Sequence, residues 1–183
     1  AKQAQFGSRL LLDGSNGISG VAVGEGVQFV MADVETQSSP ADGYAIDITE
    51  AASKARLSGE RAMTEDEINA GGIELTLHEG GRSFTYFSKV GETMDTILRN
   101  IQQKIEQNGL ELEMGVTEDS RFFVEHKQYG SEPSFGAICS IGGLLTEEGN
   151  VLQEAIQGND LQGTIGGELA HGEGQYLTAA KGD

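Results

Sequence analysis

Three histidines, one cysteine, two glycine-flanked serines and two acidic runs are the residues of this chain whose types could do chemistry. His78, His126 and His171 would serve as metal ligands or bases. A metal site needs a second His or Cys at ligand spacing, which none of them has, so they read as surface or strand-edge residues. Cys139 lies in an alternating apolar segment with no base near it in sequence, which makes it a small buried hydrophobe and not a nucleophile. Ser15, in Gly14-Ser15-Asn16-Gly17, and Ser131, in Gly130-Ser131-Glu132, do not match the Gly-x-Ser-x-Gly elbow. Gly14, Gly17 and Gly20 have the look of a phosphate loop. They lack the preceding buried strand, the following helix and the Lys, and read as a turn-rich connector. Glu65-Asp66-Glu67 lacks the alternation of a calcium loop and is read as a solvated first helical turn, and Glu147-Glu148 as solvated charge. No two carboxylates form an acid and base set apart by environment. The sequence therefore assigns no catalytic, cofactor-binding or metal-ligating residue and calls for no cofactor.

The elements that carry these residues are mostly strands. Val27–Val34 is an apolar run read as a strand, Ser38–Gly43 a turn cluster, and Tyr44, Ile46 and Ile48 alternate as a half-buried strand. Thr64-Glu65-Asp66-Glu67 has the form of a capping box and predicts a short helix ending at Gly71-Gly72. Ile73, Leu75 and Leu77 alternate into a hairpin turn at Glu79-Gly80-Gly81 and return through Ser83–Phe87. Met94, Ile97, Leu98, Ile101 and Ile105 then fall on one helical stripe, with Thr93 as N-cap, Asp95 near the positive end of the dipole, and Asn108-Gly109 as the stop. Strands follow at Leu110–Val116, Arg121–His126 and Phe135–Ser140. Thr146–Gln157 carries a helical pattern, and the Gly-rich stretch Asp160–Thr178 is expected to be extended. The opening Ala1–Arg9 is polar with a helical look. The fold class is α+β: mostly antiparallel strands, one well-defined amphipathic helix, one short helix and Gly-rich extended flanks. Three regions are expected: a connector and base strand at 1–37, an α+β lobe at 38–145, and a Gly-rich return at 146–183.

Composition narrows the partners. Twelve basic against 29 acidic residues give a net charge of −17, which disfavours phosphate backbones and anionic membrane surfaces. No apolar run approaches the roughly 20 residues of a spanning helix. The first residue is Ala1, and no charged-then-apolar leader opens the chain, as expected of a processed protein or an excised fragment. One cysteine rules out an internal disulfide, which fits either a reducing compartment or export through a narrow channel. With 27 Gly and only 2 Pro, many tight turns are expected, not a Pro-rich linker. Tyr44, Tyr86, Tyr129 and Tyr176 are the aromatic candidates for a glycan-binding surface, and each is equally a strand-packing residue.

Three blocks, in consistent order, resemble the flagellin family. Phe6-Gly7-Ser8-Arg9-Leu10-Leu11-Leu12-Asp13-Gly14-Ser15 is similar to the place where a flagellin chain leaves its N-terminal helical domain. Residues 73–140 resemble the flagellin hook IN motif: a hairpin, Gly-Glu-Thr-Met-Asp-Thr-Ile opening a helix, then strands. The Ile-Asn that usually ends that helix stands here as Ile101-Gln102 or Ile105-Glu106. Gly158-Asn159-Asp160-Leu161-Gln162-Gly163-Thr164-Ile165-Gly166-Gly167-Glu168, followed by Gly172-Glu173-Gly174-Gln175-Tyr176-Leu177-Thr178, is similar to a stretch of flagellins and filament-cap proteins, with Gly166 in place of Asn. Ser39-Pro40-Ala41-Asp42-Gly43-Tyr44 through Ala51 also looks like a strand pattern of these proteins. The long terminal polymer-forming helices of flagellins are not in the sequence.

The resemblance implies an extracellular structural domain, the outward-projecting middle of a flagellin, exported without a cleaved signal peptide and not an enzyme. Its partners would be other flagellin subunits, met through helices outside this chain, and the isolated fragment would be monomeric. It further implies that residues 18–34 and 161–180 run side by side at the base as paired strands. The strong negative charge suits a surface repeated many times, since repulsion between copies is screened over about 8 Å at physiological salt. Hook–filament junction and filament-cap proteins share the repeat and are the alternative within the same machinery. An extracellular adhesion or glycan-binding module is the alternative outside it.

Overall fold

The computed structural model describes residues 5–6, 9–10, 20–32 and 36–179. The chain divides into two units, Ala1–Tyr44 and Ala45–Asp183. In the first, β1 (Gln5–Phe6) and β2 (Arg9–Leu10) pair antiparallel where a helical look was read. Residues 27–32 are not a strand: among the described residues of this unit nothing pairs with them, and Val30 and Met31 are 63% and 80% exposed. An apolar run becomes a strand only when a ladder and a core receive it. The Pro40–Gly43 turn closes as expected, the Gly43 N–H donating to the Pro40 carbonyl at 2.9 Å. Ser15, Gly14 and Gly17 lie outside the described residues, as do Asp33, Val34 and most of the first flagellin-like block.

The second unit contains three antiparallel sheets and two helices. Its strands are β3 (Ile46–Glu50), β4 (Lys54–Ala62), β5 (Glu74–Glu79), β6 (Arg82–Phe87), β7 (Leu112–Val116), β8 (Arg121–Tyr129), β9 (Gly136–Cys139), β10 (Leu152–Glu154), β11 (Gln162–Ile165), β12 (Glu168–Glu173) and β13 (Tyr176–Ala179). The helices are α1 (Glu65–Ala70) and α2 (Met94–Gln107). One sheet orders β10-β9-β5-β6, a second β4-β8-β7, and a third β13-β12-β11-β3. This is the α+β architecture read from the pattern, and the hairpin, both helices and the strands after α2 stand where the alternation put them.

The core lies around α2. Ile97, Ile101 and Ile105 are buried on one stripe, and the helix packs against β6 and β7, an edge strand of each of two sheets. It joins one buried cluster with Leu75, Leu77 and Phe84 from the first sheet and Leu57, Leu112, Phe122 and Val124 from the second. Thr93 caps its start, accepting from the Thr96 N–H, and Gly109 supplies the left-handed residue (φ 66°) just past its end.

Several elements differ from the pattern. Lys54–Ala62 is a nine-residue strand that charged residues disguise in sequence. Its Gly59 lets the segment at Gly143–Leu144 cross close by, because a Cβ there would lie 2.1 Å from the Leu144 carbonyl oxygen. Thr146–Gln157 is not helical. It holds turns and then β10, whose residues pair with β9, and Ile156 bridges to Arg56. The partner of the return segment is also different: β11 pairs with β3, and no pairing with 18–34 is found among the described residues. β3 is exposed along its whole length instead of half-buried, and α2 packs on strands of the other two sheets.

Candidate functional site

The three histidines sit on three different sheets. His171 is exposed on β12. His78 is half-buried on β5, its Nε2 3.9 Å from Glu154 Oε1. A Cβ on Gly136 would fall 2.3 Å from that nitrogen, so the glycine on the intervening strand is what lets the imidazole lie flat there. His126 corrects the sequence reading: at 3% exposure it is a core residue, not a surface one.

His126 belongs to a buried polar knot that the sequence reading missed. On β5 the inward positions run Leu75, Leu77, Glu79, and on β8 they run Phe122, Val124, His126. The third inward position of each strand is polar, and the two meet, with Nε2 of His126 3.1 Å from Glu79 Oε1. The Gln128 N–H donates to His126 Nδ1 at 3.0 Å, which places the ring proton on Nε2 and makes His126 the donor to Glu79. Glu79 Oε2 accepts from the Glu111 N–H at 2.8 Å and lies 3.6 Å from Arg82 Nη2. The knot thus ties the β5–β6 turn to the start of β7 and to β8. Paired inward polar positions on two otherwise apolar alternations were the signal available in sequence.

The acidic run at Glu65-Asp66-Glu67 is built as a cap. Thr64 Oγ1 accepts from the Glu67 N–H, the Thr64 N–H donates to Glu67 Oε2 at 2.8 Å, and Arg61 holds both Glu67 oxygens at 2.9 and 2.7 Å. The Arg61 guanidinium, helped by the Thr64 amide, holds the Glu67 carboxyl down at about 2. Thr64→Ala is expected to destabilise the unit by about 1 kcal/mol, the usual worth of an N-cap. Urea unfolding of the variant checks this, and an unchanged midpoint would contradict it.

Ser131 is held by Asp160, which two backbone amides engage as well. Asp160 accepts from the Ser131 hydroxyl, from the Ser131 N–H at 3.2 Å and from the Gly174 N–H at 2.7 Å. It thereby links the end of β8 to the β12–β13 turn. The Ser131 hydroxyl, then the two amides, hold the Asp160 carboxyl below the usual carboxylate range. A depressed carboxyl contributes stability that is present above its unfolded pKa and lost as pH falls through the folded one. The Ser131 and Gly174 amide resonances are therefore expected to titrate together, with a midpoint below that of an unperturbed aspartate, and to stop doing so in Asp160→Asn. Independent titration of the two amides would contradict the shared anchor.

Cys139 is buried in the main core and burial pushes its thiol up, as befits an apolar filler. Glu147 and Glu148 are exposed, as read. Among the described residues no three His, Cys, Asp or Glu side chains gather as metal ligands, and the void at the centre of the core is only about 10 Å³. No helix of the described residues is long and apolar enough to cross a membrane.

The four tyrosines differ in exposure. Tyr44 is 45% and Tyr176 62% exposed, and Tyr129 lies under Lys54 Nζ at 5.2 Å from the ring centroid. Tyr86 is buried to 5% exposure and donates its hydroxyl to Glu92 Oε2 at 2.6 Å. Burial and the Glu92 acceptor push the Tyr86 hydroxyl up to about 12. That hydroxyl, with the Lys89 amide, holds the Glu92 carboxyl below the usual carboxylate range.

No protein-family model and no curated protein matches this chain. Among solved structures it is similar to the D2–D3 domains of the flagellar cap protein FliD from Serratia marcescens, at 12% identity and a TM-score of 0.46, over 76% of this chain and 88% of that one. The D1–D2–D3 domains of the cap protein FliD from Escherichia coli align at 14% identity and 0.45, over 75% of this chain and 41% of that one. FliD from Pseudomonas aeruginosa aligns at 13% identity and 0.45, over 79% and 69% respectively.

Proposed function

We propose that this chain is the outward-projecting, shape-presenting part of a structural protein of the bacterial flagellar filament, as a filament-wall flagellin or as a cap or junction protein of the same machinery. The observation that carries the reading is the middle block. Gly-Glu-Thr-Met-Asp-Thr-Ile at residues 91–97 opens a helix that is capped at Thr93, lies between a hairpin and a run of antiparallel strands, and keeps the order of the flagellin-type motif it resembles.

The buried ionisable groups support a structural role. Glu79 and His126 satisfy each other and the backbone around them, and both are buried. The reading places the protein outside the cell and gives it subunits of the flagellum as partners, joined through helices beyond this chain. It assigns no catalytic step, cofactor or metal.

The test is biochemical. An antibody raised against the 183-residue chain is expected to stain the fraction obtained when flagella are sheared from cells. Retention of all the signal in the cell pellet would reject the reading.

A further inference from the structure

We infer that a polar groove beside α2 binds an acidic saccharide, a sugar bearing a carboxylate, a ligand that a purely structural role does not require. The groove is about 280 Å³ and is floored by the Tyr86–Glu92–Asn100 cluster. Its other lining comes from Lys89 and from Gln103, Lys104 and Gln107 of α2. Asn100, Gln103, Lys104 and Gln107 follow i, i+3, i+4, i+7 spacing, so they form one stripe about 10 Å long at 1.5 Å per residue.

The floor is already saturated. Glu92 accepts from the Tyr86 hydroxyl at 2.6 Å, the Lys89 N–H at 2.8 Å and Asn100 Nδ2 at 3.0 Å, so both its oxygens have donors and its one negative charge stands against the two ammonium groups of the groove. The walls are not. Neither Gln103 nor Gln107 makes a side-chain hydrogen bond with another described residue. Among the described Lys and Arg residues of the second unit, Lys54, Arg56, Arg61, Arg82 and Arg121 each have a carboxylate within ion-pair distance. Lys89, Arg99, Lys104 and Lys127 have none among the described residues, and two of these four line this one groove of a chain whose net charge is −17.

The lining selects the ligand class. Carboxamides offer a donor and an acceptor each, which is what a ring of sugar hydroxyls needs. Two ammonium groups supply point charges for a carboxylate. No Arg fork lines the groove to favour a phosphate. Its single aromatic is 5% exposed and meets the cluster through its hydroxyl, so the groove lacks the apolar lining that suits a hydrophobic ligand.

The test is an NMR and calorimetric titration of the full 183-residue chain with trigalacturonate, maltotriose and sodium acetate. Trigalacturonate is expected to bind saturably and to shift the amides of Lys89, Gln103, Lys104 and Gln107, and the affinity should fall with added salt. Lys89→Gln and Lys104→Gln should each weaken binding roughly three- to fivefold, and together about tenfold, the range of solvent-exposed ion pairs. Their thermal midpoints should stay that of the parent. No saturable binding, equal binding of maltotriose or acetate, shifts mapping elsewhere on the parent chain, or undiminished binding in the double variant would each overturn the proposal.

Discussion

Glu79→Ala is expected to lower folding stability by about 3–4 kcal/mol, although it removes only a carboxylate from the end of a strand. The side chain is almost wholly buried, and two donors depend on it: the Nε2–H of His126 and the backbone N–H of Glu111. Truncation leaves both without an acceptor in a region water does not reach, at about 1–3 kcal/mol each. Arg82, half-exposed and 3.6 Å away, adds little because solvent screens it. Glu79→Gln keeps one acceptor and should cost less. His126→Phe leaves the carboxylate its Glu111 and Arg82 partners, so it too should cost less than Glu79→Ala. A double-mutant cycle between the two positions should give a coupling of about 1–3 kcal/mol. Urea unfolding with an unchanged slope is the check, and a loss under about 1 kcal/mol for Glu79→Ala would show that the knot is dispensable.

Ile105→Ala is expected to cost a similar amount, about 3–4 kcal/mol, by a different route. Ile105 is fully buried in the stripe of α2 that joins β6 and β7. Three carbons would be lost from a core whose central void is only about 10 Å³, and two sheets fix the walls of the cavity left behind. Leu98→Ala, at a half-buried position of the same helix, should cost distinctly less. Exposed Arg99→Ala should fall within about 0.5 kcal/mol of the parent. Equal losses at Ile105 and Leu98 would mean that α2 does not seat as its burial pattern indicates.

The local rules that were legible in the sequence were those with strong periodicity and a stop signal. The α2 stripe, its Thr93 cap and its Gly109 exit needed no tertiary knowledge, and neither did the capping box at Thr64 and Glu67. What failed depended on partners distant in sequence. Val27–Val34 is as apolar as any strand, yet its described residues find no ladder. Lys54–Ala62 hides Ala55 and Leu57 between Lys54, Arg56 and Arg61. Glu125, far along the chain, is shared between the first two of these charges, and Glu67 pairs with the third. His126 reads as a surface or strand-edge residue because nothing near it in sequence would satisfy it, and its burial is made tolerable by Glu79, 47 residues away, and by the Gln128 N–H. The groove beside α2 was half legible: Tyr86 stood among the candidate aromatics, but its carboxamide neighbours come from the flank of a helix chosen for its apolar stripe.

Immunogold electron microscopy of intact cells, with antibody to this chain, most directly tests whether these sheets exist to hold a shape on the flagellum. Gold along the filament is expected if the native protein builds the wall, and gold confined to the tip or the hook end if it caps or joins. Label scattered over the cell body, with bare flagella, would contradict the assignment.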